Sequence, residues 1–383
     1  MKRILFVAAF FVAFACACGN NDTVEPTPAP PPAPTPDPDP EETIIPTPAF
    51  AKGADISWAS EMEADGRKFK KKDGTSAALL DVLKDCGINA IRLRVWVNPY
   101  EGWSGKDDVV RMAKKVSAAG MALMVDFHYS DFFADPIKQK IPDTWTLDKD
   151  VLTKMCGNVS SHTTEVLQAL KDAGVSVNWV QVGNETRNGM LWPTGQLWTD
   201  AGDIQDGRKH FAQLYMAGYN AVKYVYPSAQ VMPHLNHAYE DNAWWFRQIK
   251  AAGATFDAIG LSHYPASDSN HASKIAVTND AVTNINKLKT EFEVPVYITE
   301  IGIERTFEDA QTILEYAYNE LKKITAGIFY WEPEVDGAWK PDVYDDAVAI
   351  GKYTGKVETW QPYKAGAFDT AGKPTALMDI FAD

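Results

Sequence analysis

An eight-stranded parallel (β/α)₈ barrel, the TIM-barrel architecture, is the fold this sequence predicts. Three observations predict it. Short β-branched runs alternate with amphipathic helical stretches along the whole second part of the chain, the pattern of repeated βαβ units. About 330 residues remain after the N-terminal region is set aside, a comfortable length for one such barrel. Polar and aromatic residues gather where the apolar runs end, the position at which a barrel carries its chemistry.

The elements follow in order. The first strand is read at residues 51–56, and a helix over 75–86 stops at Gly87, a C-cap glycine. Strand two spans 88–97. A helix over 106–119 ends at Gly120, and strand three covers 121–127. A long helix over 148–173 stops at Gly174 before strand four at 177–183. The rhythm then repeats: helix 207–226 halted by Pro227, strand 230–233, helix 241–252, strand 256–262, helix 279–292, strand 294–299, helix 308–324 and strand 327–331. A last helix at 375–381 closes the ring.

The N-terminal region has a different composition. Lys2-Arg3 precede an apolar run from Ile4 to Ala15, too short to cross a bilayer, which meets Cys16-Ala17-Cys18-Gly19. Residues 1–18 therefore read as a lipoprotein signal with Cys18 as the acylated thiol, because Ala15, Cys16 and Ala17 before it are all small. Plain cleavage without a lipid is the alternative. Residues 19–49 are rich in proline and acids and almost free of apolar side chains, a composition for an extended tether. The folded domain is then expected at 50–383, as a monomer on a secreted lipoprotein of the outer membrane that faces the cell surface.

Composition excludes some classes of function. The sequence carries 37 basic and 51 acidic residues, a net charge of −14, which repels nucleic acid. Twelve tryptophans and fifteen tyrosines suit flat apolar ligand faces such as sugar rings. Beyond the signal only Cys86 and Cys156 remain, and both read as free thiols in helical patterns.

Two glutamates stand out among the strand ends. Glu185 closes the run Val177 to Glu185, and Glu300 closes Val294 to Glu300, so they fall on strands four and seven. Two carboxylates on facing strands are the minimal equipment for cleaving a glycosidic bond. One must be a protonated acid with a raised pKa and the other an ionised nucleophile. Arg94 on strand two is the expected cation beside the nucleophile, with Arg92 two residues earlier on the same face. Asn184, beside the acid, is placed to bind a sugar hydroxyl. Asp55, Trp96, Asn98, Asp126, His128, His263, Tyr264 and Trp331 complete the substrate-binding set, Trp331 as the floor under a pyranose. The blander role of His128, His263, Tyr264 and Asp126 is that of satisfied polar residues at a barrel mouth. Trp96 and Trp145 are equally well read as core, and Trp244-Trp245 as core. Asn184-Glu185-Thr186 also matches a glycosylation sequon, but a glycan there would block the cavity. No metal-ligand spacing joins the histidines, and hydrolysis by two carboxylates requires no cofactor.

These residues lie in blocks. Lys52 to Ser57, Arg92 to Pro99, Asp126 to Asp131, Ala134 to Pro136, Gln181 to Glu185 and Tyr330 to Pro333, in that order, resemble glycoside hydrolase family 53, the endo-β-1,4-galactanases. The resemblance runs from Lys52 to Pro333. It implies Glu185 as acid/base and Glu300 as nucleophile of a retaining hydrolysis, with type I arabinogalactan or pectic galactan as substrate. Some bacterial relatives carry an acidic, glycine-rich calcium loop after the nucleophile strand. Here Glu300 to Arg305 runs almost directly into a helix, so a structural calcium has no clear motif, with Asp342, Asp345 and Asp346 as the remaining acidic group. Another β-glycanase of the same barrel clan is the enzyme alternative. A non-catalytic surface glycan-binding protein is the other, which would be free to lose an acid that this chain keeps.

Overall fold

The computed structural model describes residues 44–145, 151–266, 273–356, 358–359 and 364–382. The expected signal, Cys18 and nearly all of the expected tether lie outside them. Eight parallel strands form the barrel: β1 (Ala51–Asp55), β2 (Ala90–Val95), β3 (Ala122–Phe127), β4 (Trp179–Val182), β5, β6 (Ile259–His263), β7 (Val296–Ile301) and β8 (Gly327–Trp331). β5 is broken at Pro233 into Gln230–Met232 and His234–Leu235. Its first half pairs with β4 and its second with β6, while β1 pairs with both β2 and β8. The ring is therefore closed through one strand that changes partner at a residue with no N–H to give. The Pro233 carbonyl still accepts from Gly260 at 3.0 Å.

The helices lie around this sheet: α1 (Ala59–Ala64), α2 (Leu79–Asp85), α3 (Lys106–Ala118), α4 (Val151–Asp172), α5 (Gly207–Val225), α6 (Ala243–Ala251), α7 (Lys274–Phe292), α8 (Ala310–Leu321) and α9 (Ala347–Thr354). Among the described residues no helix is long and apolar enough to cross a membrane. Gly87, which ends the second of them, has φ +95°, and a Cβ there would meet the Phe381 carbonyl oxygen at 2.0 Å, so both backbone angle and space demand glycine.

Some elements differ from expectation. The stretch read as helix from 75 begins instead as a two-stranded hairpin, Phe69–Lys70 with Ser76–Ala77, because Asp73 accepts from the Thr75 amide and Gly74 turns at φ +91°. The terminal helix is a 3₁₀ helix, Ala376–Phe381. The barrel also engages the chain earlier than residue 50. Ile45 gives its amide to Ser176 at 3.2 Å, its carbonyl accepts from Asn178 at 2.9 Å, and its side chain packs against the lower barrel core.

Alternation along each strand separates two cores. Val180, Val182, Ile91, Leu93, Val95, Ile259 and Leu261 face outward to the helices. Inside, Trp179, Tyr297, Phe329, Met124 and Met232 fill the lower barrel against Ala51, Ala90, Ala122 and Ala258. Large residues are thus matched by small ones across the axis, as close packing requires. Gly53 is one such small residue: a Cβ there would lie 2.0 Å from the Phe329 ring.

Two substitutions test this packing. Trp179→Ala should cost about 3–5 kcal/mol through the cavity it leaves. Gly53→Ala should cost about 1–3 kcal/mol through overpacking. Urea midpoints at constant slope provide the measurement, and an unchanged midpoint for Trp179→Ala would contradict a filled interior.

Candidate active site

Above the packed layer the interior turns polar within one residue step per strand. Asp55, Arg92, Asp126, Gln181, Ser262 and Glu300 all point into the barrel near its C-terminal end, and all are buried. Arg92 is their hub, at 1% exposure. Its Nε donates to Gln181 Oε1 at 2.6 Å and its Nη1 to Asp55 Oδ2 at 2.6 Å. Its Nη2 is shared among Asp126 Oδ2 (2.8 Å), Asn184 Oδ1 (2.9 Å) and Glu300 Oε1 (2.9 Å). Charge-assisted bonds of this kind are the strong ones, and burial leaves the guanidinium no other way to be solvated.

The two glutamates reach the site by different backbone devices. Tyr297 and Thr299 of β7 face inward, so strict alternation would turn Glu300 out toward the helices. A register shift beside both neighbours brings Glu300 level with Ser262, with Thr299 as the extra residue, and this bulge swings the carboxyl inward. Glu185 follows the end of β4 with φ +47°, a left-handed conformation unusual for glutamate. Gly183 before it has φ +89°, and a Cβ there would lie 2.5 Å from Thr186 Cγ2.

A single hydroxyl lies between the two carboxyls. Ser262 Oγ is 2.7 Å from Glu185 Oε1 and 3.2 Å from Glu300 Oε2, and oxygens of the two carboxyls lie within 4.8 Å. Their environments differ. Glu300 accepts from Arg92 and from the Tyr264 hydroxyl at 2.9 Å. Burial pushes its carboxyl up, and the guanidinium and phenol pull against that. Burial, then the charge of Glu300, push Glu185 up to about 8, against the Ser262 hydroxyl and a more distant Arg92. The pair titrates together, and the cation sits on Glu300, so the negative charge belongs there and the proton on Glu185.

The remaining groups support this arrangement. Burial raises Asp126 but Arg92 and His128 outweigh it, bringing it down to about 2. His128 Nδ1 accepts from the Ala134 amide at 3.0 Å, so its hydrogen is on Nε2, 2.9 Å from Asp126 Oδ2. Asn184 Nδ2 donates to the Ala134 carbonyl at 2.9 Å, which fixes the amide with Oδ1 toward Arg92. A cavity of about 310 Å³ opens above the carboxyls. Asp55, Arg94, His128, Asn184, Tyr264 and Trp331 of the expected set line it, together with Asp135 of the block Ala134 to Pro136 and with Phe133, Lys138 and Tyr344, which sequence reasoning did not single out.

Several expected roles move. Arg92, not Arg94, is the cation at Glu300. Both point inward, but Arg94 lies one layer higher, where it pairs with Glu332 and stacks over Trp58 at 4.0 Å and Trp96 at 4.5 Å. Trp96 is buried in that stack and does not line the cavity. Asp126 lies behind the cavity wall, bonded to Arg92 and His128. Asn98 is exposed, and its backbone N–H donates to Asp131 Oδ1 at 3.0 Å. His263 faces out of the barrel and bonds Thr278 of α7 at 3.0 Å, because it has the outward parity of Ile259 and Leu261. Ser262 takes the inward place, a residue that period-two alternation from Gly260 would have found.

Among the described residues, one group brings three metal-type ligand atoms together: Glu185, His234 and Glu300. Both His234 nitrogens are already engaged, by Asn184 and Ser262. Asp342, Asp345 and Asp346 do not converge: Asp346 caps α9, and Asp345 pairs with Lys340. Cys86 and Cys156 are free thiols.

The model of glycosyl hydrolase family 53 matches residues 51–326. A probable arabinogalactan endo-β-1,4-galactanase A of Aspergillus terreus is 32% identical over 309 residues, covering 74% of this chain and 85% of that protein. An arabinogalactan endo-β-1,4-galactanase of Thermothelomyces thermophilus is 30% identical, covering 74% and 89%. Among solved structures, the family 53 catalytic domain of Ignisphaera aggregans superposes with a TM-score of 0.71 at 25% identity, covering 90% of this chain and 99% of that one. A fungal β-1,4-galactanase structure has a TM-score of 0.70 at 24% identity, covering 87% and 98%, a likeness of fold. A barrel with two carboxyls at one hydroxyl, matched by this family over most of its length, is a glycoside hydrolase, and the chain belongs to glycosyl hydrolase family 53.

Proposed function

We propose that this enzyme is a retaining endo-β-1,4-galactanase acting on the galactan backbone of type I arabinogalactan or pectic galactan, with Glu185 as acid/base and Glu300 as nucleophile. One observation carries the mechanism: carboxyl oxygens within 4.8 Å, with the guanidinium on one glutamate only. Retaining glycosidases hold their carboxyls roughly 5–5.5 Å apart, whereas inverting ones leave about 6.5–9.5 Å for a water. The substrate class is supported by the relatives named as arabinogalactan endo-β-1,4-galactanases.

In the first step Glu300 Oε attacks the anomeric carbon, the glycosidic C–O bond breaks, and the leaving oxygen takes the Glu185 proton. In the second, Glu185 takes a proton from water, the water oxygen bonds the anomeric carbon, and the bond to Glu300 breaks. The Trp331, Phe133 and Tyr344 rings at the cavity offer apolar faces to the C–H faces of galactose. No cofactor enters either step. The enzyme acts as a monomer, tethered to the outer membrane at the cell surface by a lipid on Cys18, a reading supported by the apolar run and the small residues before that cysteine.

Three outcomes are expected. Purified protein releases galacto-oligosaccharides from β-1,4-galactan but not from mannan or xylan, with the β anomer appearing first by NMR; an initial α product would refute retention. Glu185→Gln and Glu300→Gln, still folded, lose activity by about 10²–10⁴-fold or more.

The pH profile has a definite sign. Glu185 works protonated, so kcat/KM falls as pH rises through about 8, and it falls again on the acid side as Glu300 takes up a proton. A rate still rising above pH 9 would be incompatible with Glu185 as the acid. For the anchor, Cys18→Ala moves the protein from the membrane pellet to the soluble fraction and abolishes radiolabelled palmitate incorporation. Unchanged fractionation and labelling would exclude Cys18.

A further inference from the structure

We propose that Ser262 and His234 form a hydroxyl–imidazole pair that orients the proton of Glu185, making both positioning residues for the acid step. This rests on the two-glutamate reading given above. The argument is an accounting of hydrogens. Asn184 Oδ1 can only accept, and the bond from Asn184 Nδ2 to the Ala134 carbonyl prevents the amide from turning over. His234 Nδ1 lies 2.9 Å from that oxygen, so this nitrogen carries a hydrogen. The Glu185 amide approaches the same nitrogen only at 3.4 Å, too long to displace that bond.

His234 is completely buried beside Arg92, and burial holds its pKa far below the ordinary range, so it carries one hydrogen. Nε2 is then bare and accepts the Ser262 hydroxyl hydrogen at 2.8 Å. Ser262 has no second hydrogen. At 2.7 Å its oxygen must accept from Glu185 Oε1, which places the acid proton on that oxygen. Glu300 Oε2, 3.2 Å from Ser262, keeps the Tyr264 hydroxyl as its donor.

The pair also serves the return step. Once Glu185 has given its proton to the leaving oxygen, the Ser262 hydrogen turns from His234 Nε2 to the new carboxylate. It turns back when Glu185 takes a proton from water. No net proton leaves the site, and His234 never becomes charged. The groups facing Glu185 are Glu300 of β7, Asp135 of the loop after β3, Arg92 of β2 and His234 of β5. Those facing His234 are Arg92, Asp126 and His128.

The test compares a galacto-oligosaccharide, whose leaving group needs a proton, with a dinitrophenyl β-galactobioside, whose leaving group does not. Ser262→Ala should lower kcat/KM on the oligosaccharide about tenfold and move the alkaline limb about one pH unit toward acid, since the protonated form loses both bonds of the pair and the charged form only the one from Ser262. The aryl substrate should change far less. Ser262→Thr, which keeps the hydroxyl, should restore both values. His234→Leu frees the serine hydrogen for the carboxylate and should move the limb in the same direction, which keeps the test available should the alanine variant not fold. Equal losses on both substrates, or an alkaline limb that stays or moves to higher pH, overturn the proposal. Glu185→Gln is the reference. If it shows no difference between the substrates, the two-glutamate reading fails; if it does and Ser262→Ala does not, the pairing alone fails.

Discussion

A buried guanidinium has to be answered on every side, and Arg92 is answered from four strands or their ends. Asp55 comes from β1, Asp126 from β3, Gln181 and Asn184 from β4 and the turn after it, and Glu300 from β7. Placing a charge in a barrel interior is expensive. Losing one partner of such a network typically costs 3–5 kcal/mol because the others are left uncompensated. Geometry is what the network supplies: strands that must each deliver one acceptor to one planar cation cannot slip in register. The chemistry above the cation inherits that precision.

The same cation creates the difference between the two carboxyls. They share a serine hydroxyl, and burial raises both carboxyls, so burial alone gives neither a reason to carry the charge. Arg92 contacts Glu300 and leaves Glu185 to the hydroxyl. Asp55 and Asp126 absorb the rest of the guanidinium, and His128, fixed by the Ala134 amide, helps keep Asp126 ionised. Two identical side chains are thereby given different electrostatic surroundings by neighbours drawn from other strands.

Much of this was legible in the sequence, for physical reasons. Strands buried on both faces read as apolar runs, helices stop at glycines, and carboxyls at strand ends are costly unless they do work, so the eight strands and both glutamates could be found. What escaped depends on parity and height. His263 looked like a site residue at a strand end, but alternation gives the inward place to Ser262. Arg92 and Arg94 share a face, and only the register of β2 against β1 and β3 decides which lies level with Glu300. The bulge at Thr299, which reverses parity for Glu300, leaves no mark in the composition of β7. Local turn chemistry hid the hairpin before α2, and the hold of Ser176 and Asn178 on Ile45 is a long-range contact that a proline-rich segment does not advertise.

That hold has a directional meaning. Ile45 sits against the lower core, among Trp179, Tyr297 and Phe329, at the N-terminal ends of the strands, whereas the cavity opens at their C-terminal ends. The described chain thus enters the domain at the pole opposite the carboxyls. A pull on the chain at Ile45 is carried by the barrel's base, and the cavity mouth points away from that point of entry. The pole that takes up the chain and the pole at which the cavity opens belong to the same strands, so the direction from one to the other is built into the barrel.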